Sequence, residues 1–306
     1  MKHTIFTPVF NRKEQMRDLY HRMLEINYPK DEWEWLIIDD GSTDNLQELL
    51  NEFIYDNKIN IRYIRKENGG IHTAQNCAII NARGEFITRI DSDDYLLPNS
   101  LLLKDKYLSM IPKDLKDKVC GVVGACLNKS DMSYRSSILP ENFYICRGID
   151  LRNSGAKGDR NFCIKKDVLD DYLINEYPGT HWIPEGTALW IPIDKKFLTV
   201  FINEPMSVCS EPNVNSVSGS LKSPTLANIL SGFYMNINLL NDCKFAYSLS
   251  AIMRSYLGLA LSAIRASKKS KLNYVKIGGG YLQNWYDKVL FFISIVPAYI
   301  INCIKA

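Results

Sequence analysis

The chain has 306 residues, 46% apolar and 23% charged, a globular composition with length for one large domain and an extension. Its eight cysteines are scattered and form no Cys-x-x-Cys pair, which argues against a zinc site and a disulfide framework. Net charge is +3 but uneven: residues 244–306 hold nine basic residues and one acid, net +8, whereas the first 243 hold 28 basic and 33 acidic residues, net −5. That asymmetry predicts a C-terminal region that faces something anionic. Reduced thiols, and a strand starting directly after Met1-Lys2-His3 with no room for a signal peptide, predict a cytoplasmic protein.

Residues 4–7 read as a short strand, and Pro8-Val9-Phe10-Asn11-Arg12 as the turn out of it. Residues 13–26 are a predicted helix, with Met16, Leu19, Met23 and Ile26 at helical spacing. Tyr28-Pro29 breaks it. Trp35-Leu36-Ile37-Ile38 is apolar throughout, as buried parallel strands are, and ends in Asp39-Asp40-Gly41-Ser42-Thr43-Asp44. A helix over 45–55, a strand over 61–64, the glycine turn Asn68-Gly69-Gly70, a helix over 73–81 and a strand over 86–90 follow. Four strands alternating with three helices over about ninety residues predict an α/β domain, a mostly parallel sheet with helices on both faces.

Ligands of such sheets bind beyond the carboxyl ends of the strands. Pro8, Asp39-Asp40, Arg65-Lys66 and Asp91-Ser92-Asp93 all fall at those ends, so four loops would converge on one crevice. No Gly-x-Gly-x-x-Gly follows the first strand, and no Gly-x-x-x-x-Gly-Lys-Ser/Thr occurs, which disfavours a dinucleotide dehydrogenase or a P-loop enzyme.

Further on, a helix is predicted over 99–110, a strand over 119–125, and hairpins and loops over 128–160. A strand over 162–164, a short helix over 166–173 and a strand over 198–202 come next. Between the last two, Trp182 and Trp190 flank Glu185. Residues 211–220 are expected to be flexible. Helical patterns run from 221 to 265, Gly278-Gly279-Gly280 is an expected interruption, and residues 281–304 are a predicted apolar helix.

In an extended chain, residues i and i+2 point the same way. Asp91 and Asp93 would thus present two carboxylates on one face, mutually repelling unless a cation sits between them. Hard oxygen ligands suit Mg2+ or Mn2+, and Mg2+ is usually completed by water and substrate phosphates. Equally, an acidic turn ahead of Pro98-Asn99-Ser100 is ordinary loop chemistry, and these residues alone leave both readings open.

Taken in order, Thr7-Pro8-Val9-Phe10-Asn11-Arg12, the stretch from Trp35 to Asp44, Asn68-Gly69-Gly70 and Asp91-Ser92-Asp93-Asp94 resemble the family 2 glycosyltransferases. Those are inverting, nucleotide-sugar-dependent enzymes with the GT-A fold. The resemblance spans residues 3–210; each motif is weak, and their order and spacing carry it. It implies a catalytic GT-A domain over 1–215 and a C-terminal helical region over 216–306. It also implies that Pro8 and Val9 line the base pocket, and that Asp40, with Asp39, bonds the uracil of a UDP-sugar. Asp91 would lie near the ribose, and Asp93, with Asp91, would hold the Mn2+ or Mg2+ that bridges the diphosphate. Asn11, Arg12, Gly70, Asn76 and Ser92 complete the implied donor site. Members often carry basic residues near Ile71 and Gln75; neither position is basic here, so the diphosphate contacts pass to Arg65, Lys66, His72 or Arg160. No histidine follows His181, so a late histidine metal ligand is missing.

Glu185 falls where members keep the catalytic base. Asp159 is the alternative base or an acceptor contact, and is equally read as a Gly-Asp turn. Trp182 and Trp190 either stack on a sugar ring or pack in the core; with Arg160 they are the candidate acceptor contacts. Residues 289–301 are shorter than the ~20 residues of a membrane span, and Pro297 interrupts them. They form either a buried helix or one lying in a membrane interface, with Tyr281, Trp285, Tyr286 and Tyr299 at headgroup level and Lys268-Lys269-Ser270-Lys271 drawn to anionic lipid. No motif supports nucleic acid as the anionic partner. The expected partners are a UDP-sugar, a lipid-linked glycan acceptor of a bacterial surface polysaccharide such as capsule or O-antigen, and the inner face of the cell membrane. The competing readings are a sugar-nucleotide nucleotidyltransferase, which would want a glycine-rich basic signature after the first strand, and a non-catalytic nucleotide-sugar-binding relative.

Overall fold

The computed structural model describes residues 1–211 and 225–304; the segment expected to be flexible lies, from 212 on, outside the described residues. The chain divides into two units, Met1–Leu173 with Ile193–Pro212, and Ile174–Pro192 with Asn213–Ala306. A single boundary near 215 was expected. Instead the stretch carrying Glu185 groups with the C-terminal helices.

The first unit is built on β1 (His3–Val9), β2 (Trp33–Asp39), β3 (Ile61–Arg65) and β4 (Phe86–Arg89), parallel in the order β3-β2-β1-β4. Every residue of β1 and β2 is buried, which is why the run Trp35-Leu36-Ile37-Ile38 is apolar without alternation. Helices α1 (Lys13–Leu24) and α2 (Leu46–Asp56) pack Met16, Leu19, Met23, Leu49, Leu50 and Phe53 against Ile5, Trp35 and Ile37. Phe6, Leu36 and Ile38 alternate to the other face, also buried, where α3 (Ile71–Asn81) touches β1 and β2. Helices therefore cover both faces, as the alternation of elements predicts.

Beyond β4 the sheet turns mixed. β5 (Tyr95–Leu96) and α4 (Ser100–Ser109) precede β6 (Val119–Asn128). The stretch expected to be irregular holds β7 (Tyr144–Cys146) and α5 (Gly148–Asn153). β8 (Arg160–Lys165), α6 (Lys166–Asp170), α7 (Ile191–Asp194) and β9 (Leu198–Cys209) follow. β8 lies antiparallel between β4 and β6, β6 is parallel to β9, and β5 and β7 both pair antiparallel with β9. β9 runs seven residues past the expected end. Pro205 interrupts its pattern, and Pro205 sits where the β6–β9 register shifts, a place in a sheet that tolerates a residue with no amide proton. Each of the eight cysteines is a free thiol.

Helix α4 is fastened beneath the strand that leads to the acidic turn. Lys104 is fully buried and donates to Thr88 Oγ1 at 2.9 Å; burial pushes its pKa down to about 8. Its neighbour Asp105 accepts from Tyr28 at 2.5 Å, lies 2.9 Å from the His3 ring, and pairs with Lys2.

The second unit holds α8 (Leu226–Asn238), α9 (Leu249–Lys269), α10 (Tyr274–Tyr281) and α11 (Trp285–Ile304). The side chains of Thr225, Ser248 and Asn273 cap the first three, each accepting an amide of the opening turn. The glycine triplet expected to interrupt the helices lies inside α10. A Cβ on Gly278 would stand 3.2 Å from the Phe233 ring, and one on Gly279 2.9 Å from Phe292. Close packing against aromatic rings, not chain breaking, explains these glycines.

Gly84 is held as tightly at the entry to β4. A Cβ there would stand 2.4 Å from the Thr4 amide nitrogen and 2.5 Å from the His3 carbonyl carbon, and neither backbone atom can step aside. Gly84→Ala should cost about 2 kcal/mol by overpacking, read as a lower denaturant midpoint at unchanged slope. An alanine variant as stable as the parent would contradict the seating of β1 against residue 84.

Candidate functional site

The carboxyl end of β2 builds a saturated charge cluster. Asp40 is 4% exposed. Its amide donates to Val9 O at 2.8 Å, tying the end of β2 to the end of β1, where Pro8 and Val9 are buried. Its Oδ1 accepts from Lys66 Nζ at 2.7 Å and from the Gly69 amide at 3.0 Å. Its Oδ2 accepts from the Gly70 amide at 2.7 Å and from Asn68 Nδ2 at 3.2 Å. A carboxylate has about four lone-pair sites, and all are engaged. Lys66 also donates to Glu67 O and Thr73 Oγ1, so its three donors are spent. Gly70 takes φ 93°, the left-handed region that glycine adopts without strain, and leads into α3.

Asp39 is committed as well. It accepts from the Ser42 amide and the Tyr63 hydroxyl, each at 2.7 Å. Burial and the bond to Asp39 push the Tyr63 phenol pKa up. Arg65 lies 3.6 Å from Asp39 and donates to Ser42 O. Asn11, at φ 52°, accepts from the Thr43 amide, and its own amide donates to Ser42 Oγ; half-buried Arg12 then leads into α1. Asp39, Asp40, Asn11 and Lys66, expected as donor ligands, thus have loop-building partners. A uracil N3–H at Asp40 would have to displace one of them, and Asn68 makes the longest bond.

The acidic turn after β4 is arranged differently. Arg89 grips Asp91 with two bonds, Nε to Oδ1 at 2.6 Å and Nη2 to Oδ2 at 3.0 Å, and Nη1 donates to Gln75 Oε1 at 3.2 Å. The cation beside Gln75 is therefore Arg89 of β4. β4 ends at Arg89, and residues 91–94 close a turn in which the Asp94 amide donates to Asp91 O at 3.1 Å, so the extended i, i+2 alignment expected of Asp91 and Asp93 does not hold. Ser92 stands half-exposed in the turn. Asp94 accepts from the Ser210 amide at 2.8 Å; burial, with repulsion from Asp91 and Asp93, pushes its pKa up to about 7. The main-chain oxygen of Asp93 accepts from Ser210 Oγ at 2.5 Å, but among the described residues its carboxylate makes no hydrogen bond or ion pair.

Ser210 is held in turn by Arg135, whose Nη1 donates to Ser210 O at 2.9 Å and whose Nε pairs with Asp159 at 2.6 Å. Asp159, the alternative base, is thus the exposed partner of a structural arginine. Arg160 donates to Ile202 O and Ser137 O, holding main chain. His72 and Asn76 are buried in the first turns of α3. That helix joins the two clusters, since Thr73 meets Lys66 and Gln75 meets Arg89.

No group of three or more His, Cys, Asp or Glu side chains able to hold a metal occurs among the described residues. The chain offers the Asp93 carboxylate, and Asp91 where Arg89 releases an oxygen. So thin a set fits an ion whose remaining ligands are water and diphosphate, as Mg2+ prefers.

In the second unit, half-buried Glu185 immediately precedes a single π-helical turn, Gly186–Trp190. A second π turn, Leu239–Cys243, meets it: Cys243 Sγ donates to Thr187 O at 3.2 Å. Ser231 Oγ donates to Trp182 O at 2.6 Å, fixing the approach. Trp182 and Trp190 are half-buried, so neither is a simple core residue. Periodicity gave no signal for either π turn.

Because the Asp40 carboxylate carries four bonds, its removal should be felt without nucleotide. Asp40→Ala is expected to destabilise the free protein by about 3 kcal/mol, the cost of leaving Lys66 and two amides unpaired. Unchanged thermal unfolding together with lost UDP affinity would instead assign the carboxylate to the base alone.

Residues 4–173 match the family model described as glycosyl transferase family 2. The chain is 34% identical over 107 residues to the poly(ribitol-phosphate) β-N-acetylglucosaminyltransferase TarS of Staphylococcus aureus, covering 34% of this chain and 18% of TarS. It is 33% identical over 203 residues to glycosyltransferase GlyG of Streptococcus pneumoniae, covering 66% of this chain and 58% of GlyG. It therefore matches less than two thirds of either relative. The structure of TarS residues 1–349 with UDP-GlcNAc superposes with a TM-score of 0.60 at 16% identity, over 97% of this chain and 80% of that one. The mannosyltransferase PcManGT of Pyrobaculum calidifontis, solved with GDP-Man and Mn2+, superposes with a TM-score of 0.53 at 14% identity, over 99% and 87%. The fold is GT-A, and with more than half its length matched by the family model the chain belongs to glycosyl transferase family 2.

Proposed function

We propose that this chain is an inverting glycosyltransferase that moves a sugar from a UDP-sugar to a hydroxyl of a lipid-linked glycan, in the making of a bacterial surface polysaccharide. One observation carries the reading: among the described residues the Asp93 carboxylate makes no hydrogen bond or ion pair, beside Asp91 and Asp94, where a cation and a diphosphate would relieve the repulsion. The UDP-GlcNAc complex of TarS supports the donor class, and the Mn2+ complex of PcManGT supports a divalent ion.

In this reading Pro8 and Val9 flank the base, Asp40 with Asp39 takes the uracil N3–H as Asn68 yields, and Asp91 lies at the ribose. Asp93 would hold Mn2+ or Mg2+, which when bound neutralises charge on the departing diphosphate. Glu185 takes the proton of the acceptor hydroxyl. That oxygen bonds the anomeric carbon from the face opposite the diphosphate, and the bond from carbon to diphosphate oxygen breaks. UDP leaves with the electron pair, and the single displacement inverts the centre. Trp182 and Trp190 would border the acceptor sugar.

Calorimetry of UDP with Mn2+ should show tight binding lost in excess EDTA and in Asp93→Asn. Undiminished binding in either case overturns the metal role. Glu185→Gln keeps shape but cannot accept a proton, so turnover should fall by roughly a hundredfold or more, with UDP-sugar affinity near that of the parent. A variant that keeps most of its turnover would remove Glu185 as base.

A further inference from the structure

The terminal helix α11 is amphipathic in the reverse sense. Trp285, Val289, Phe292, Ile293, Val296, Tyr299 and Ile300 recur at helical spacing and all are exposed, Trp285 by 76% and Val296 by 66%. The opposite face is buried and includes the helix's acid. Asp287 is wholly buried, ion-paired with Lys244 at 2.6 Å and bonded by Tyr256 and Asn284. A helix on a water-facing surface shows the opposite pattern. The helix is 20 residues long, and an 18-residue stretch of it has mean hydropathy 1.7.

Its surroundings are cationic. Arg254, Arg265, Lys268, Lys269, Lys271 and Lys276 are exposed, and Asp287 is the sole acid from residue 244 onward. From this polarity and charge we infer that α11 lies in the plane of an anionic lipid surface, with the stripe from Trp285 to Ile300 in the acyl boundary and the lysines at the headgroups. The inference does not rest on the proposed reaction.

Two features favour lying flat over crossing. Phe291 and Ala298 are fully buried, and Asp287 is anchored inside the helical unit, so a crossing helix would tear its ion pair from that unit.

The test is flotation of the full chain with phosphatidylcholine vesicles and with equal parts phosphatidylcholine and phosphatidylglycerol. Binding should appear with phosphatidylglycerol and weaken as salt rises. Ile293→Glu and Val296→Glu change exposed positions, so melting temperature and UDP affinity should hold while vesicle binding falls about tenfold or more. Lys268→Gln with Lys269→Gln and Lys271→Gln should reduce the preference for phosphatidylglycerol by a similar factor. No flotation of the parent, or parent-like flotation of Val296→Glu, overturns the inference. So does a dimer in sedimentation that Val296→Glu dissociates without any vesicle binding. UDP affinity measured on the same samples separates this outcome from failure of the donor assignment.

Discussion

A buried carboxylate must be fully compensated, and Asp40 shows how much structure that requires. Desolvating an unpaired charge costs several kcal/mol, so a loop that brings Asp40 indoors must also bring donors. Lys66 and the Asn68-Gly69-Gly70 turn supply them. Once that turn closes on Asp40, Gly70 starts α3 at a fixed place, and Thr73 and Gln75 are set two residues apart on it. Gln75 meets Arg89, and Arg89 sets Asp91. One electrostatic requirement at the end of β2 therefore propagates through a helix to the end of β4.

The acidic turn distributes its charge unevenly. Asp91 is neutralised by a bidentate guanidinium, and such paired, charge-assisted bonds are the strong kind. Asp94 is drawn inward and bonded to the Ser210 amide. Among the described residues Asp93 is fixed through its main chain, by Ser210 Oγ, so its carboxylate is positioned without being consumed. Ser210 is itself held by Arg135, which donates to its main-chain oxygen. A rigid backbone under an uncommitted carboxylate is what a ligand-binding group needs.

The alternating strands and helices of the first ninety or so residues were legible because buried parallel strands write continuous apolar runs and helices write a 3.6-residue period. The acidic cluster was legible as carboxylates directly after a strand, but it folds as a turn and not as the extended chain that i, i+2 spacing assumes. The partners of Asp39, Asp40, Lys66 and Asp159 were not. Tyr63 and Arg135 reach those carboxylates across 24 residues of chain each, and no local period encodes such contacts. The far end of β9 was hidden because Pro205 imitates a strand end. Gly278 and Gly279 look like a break, since sequence does not distinguish a glycine that frees the chain from one that makes room for an aromatic ring.

Glu185 lay in the sequence as one acid between two indoles. The structure adds that its backbone leads into a π turn. An extra residue in a helical turn costs hydrogen-bond geometry and survives only where packing enforces it. Here the enforcement is visible: Thr187 O accepts from Cys243, which belongs to a second π turn, and Ile183 and Leu189 are buried on either side. Two uncommon turns braced against each other hold the neighbourhood of one carboxylate more firmly than a regular loop could. The residues that brace it, Cys243 and Ser231, come from the helical C-terminal region, so that region has a share in placing Glu185 whatever surface its last helix meets.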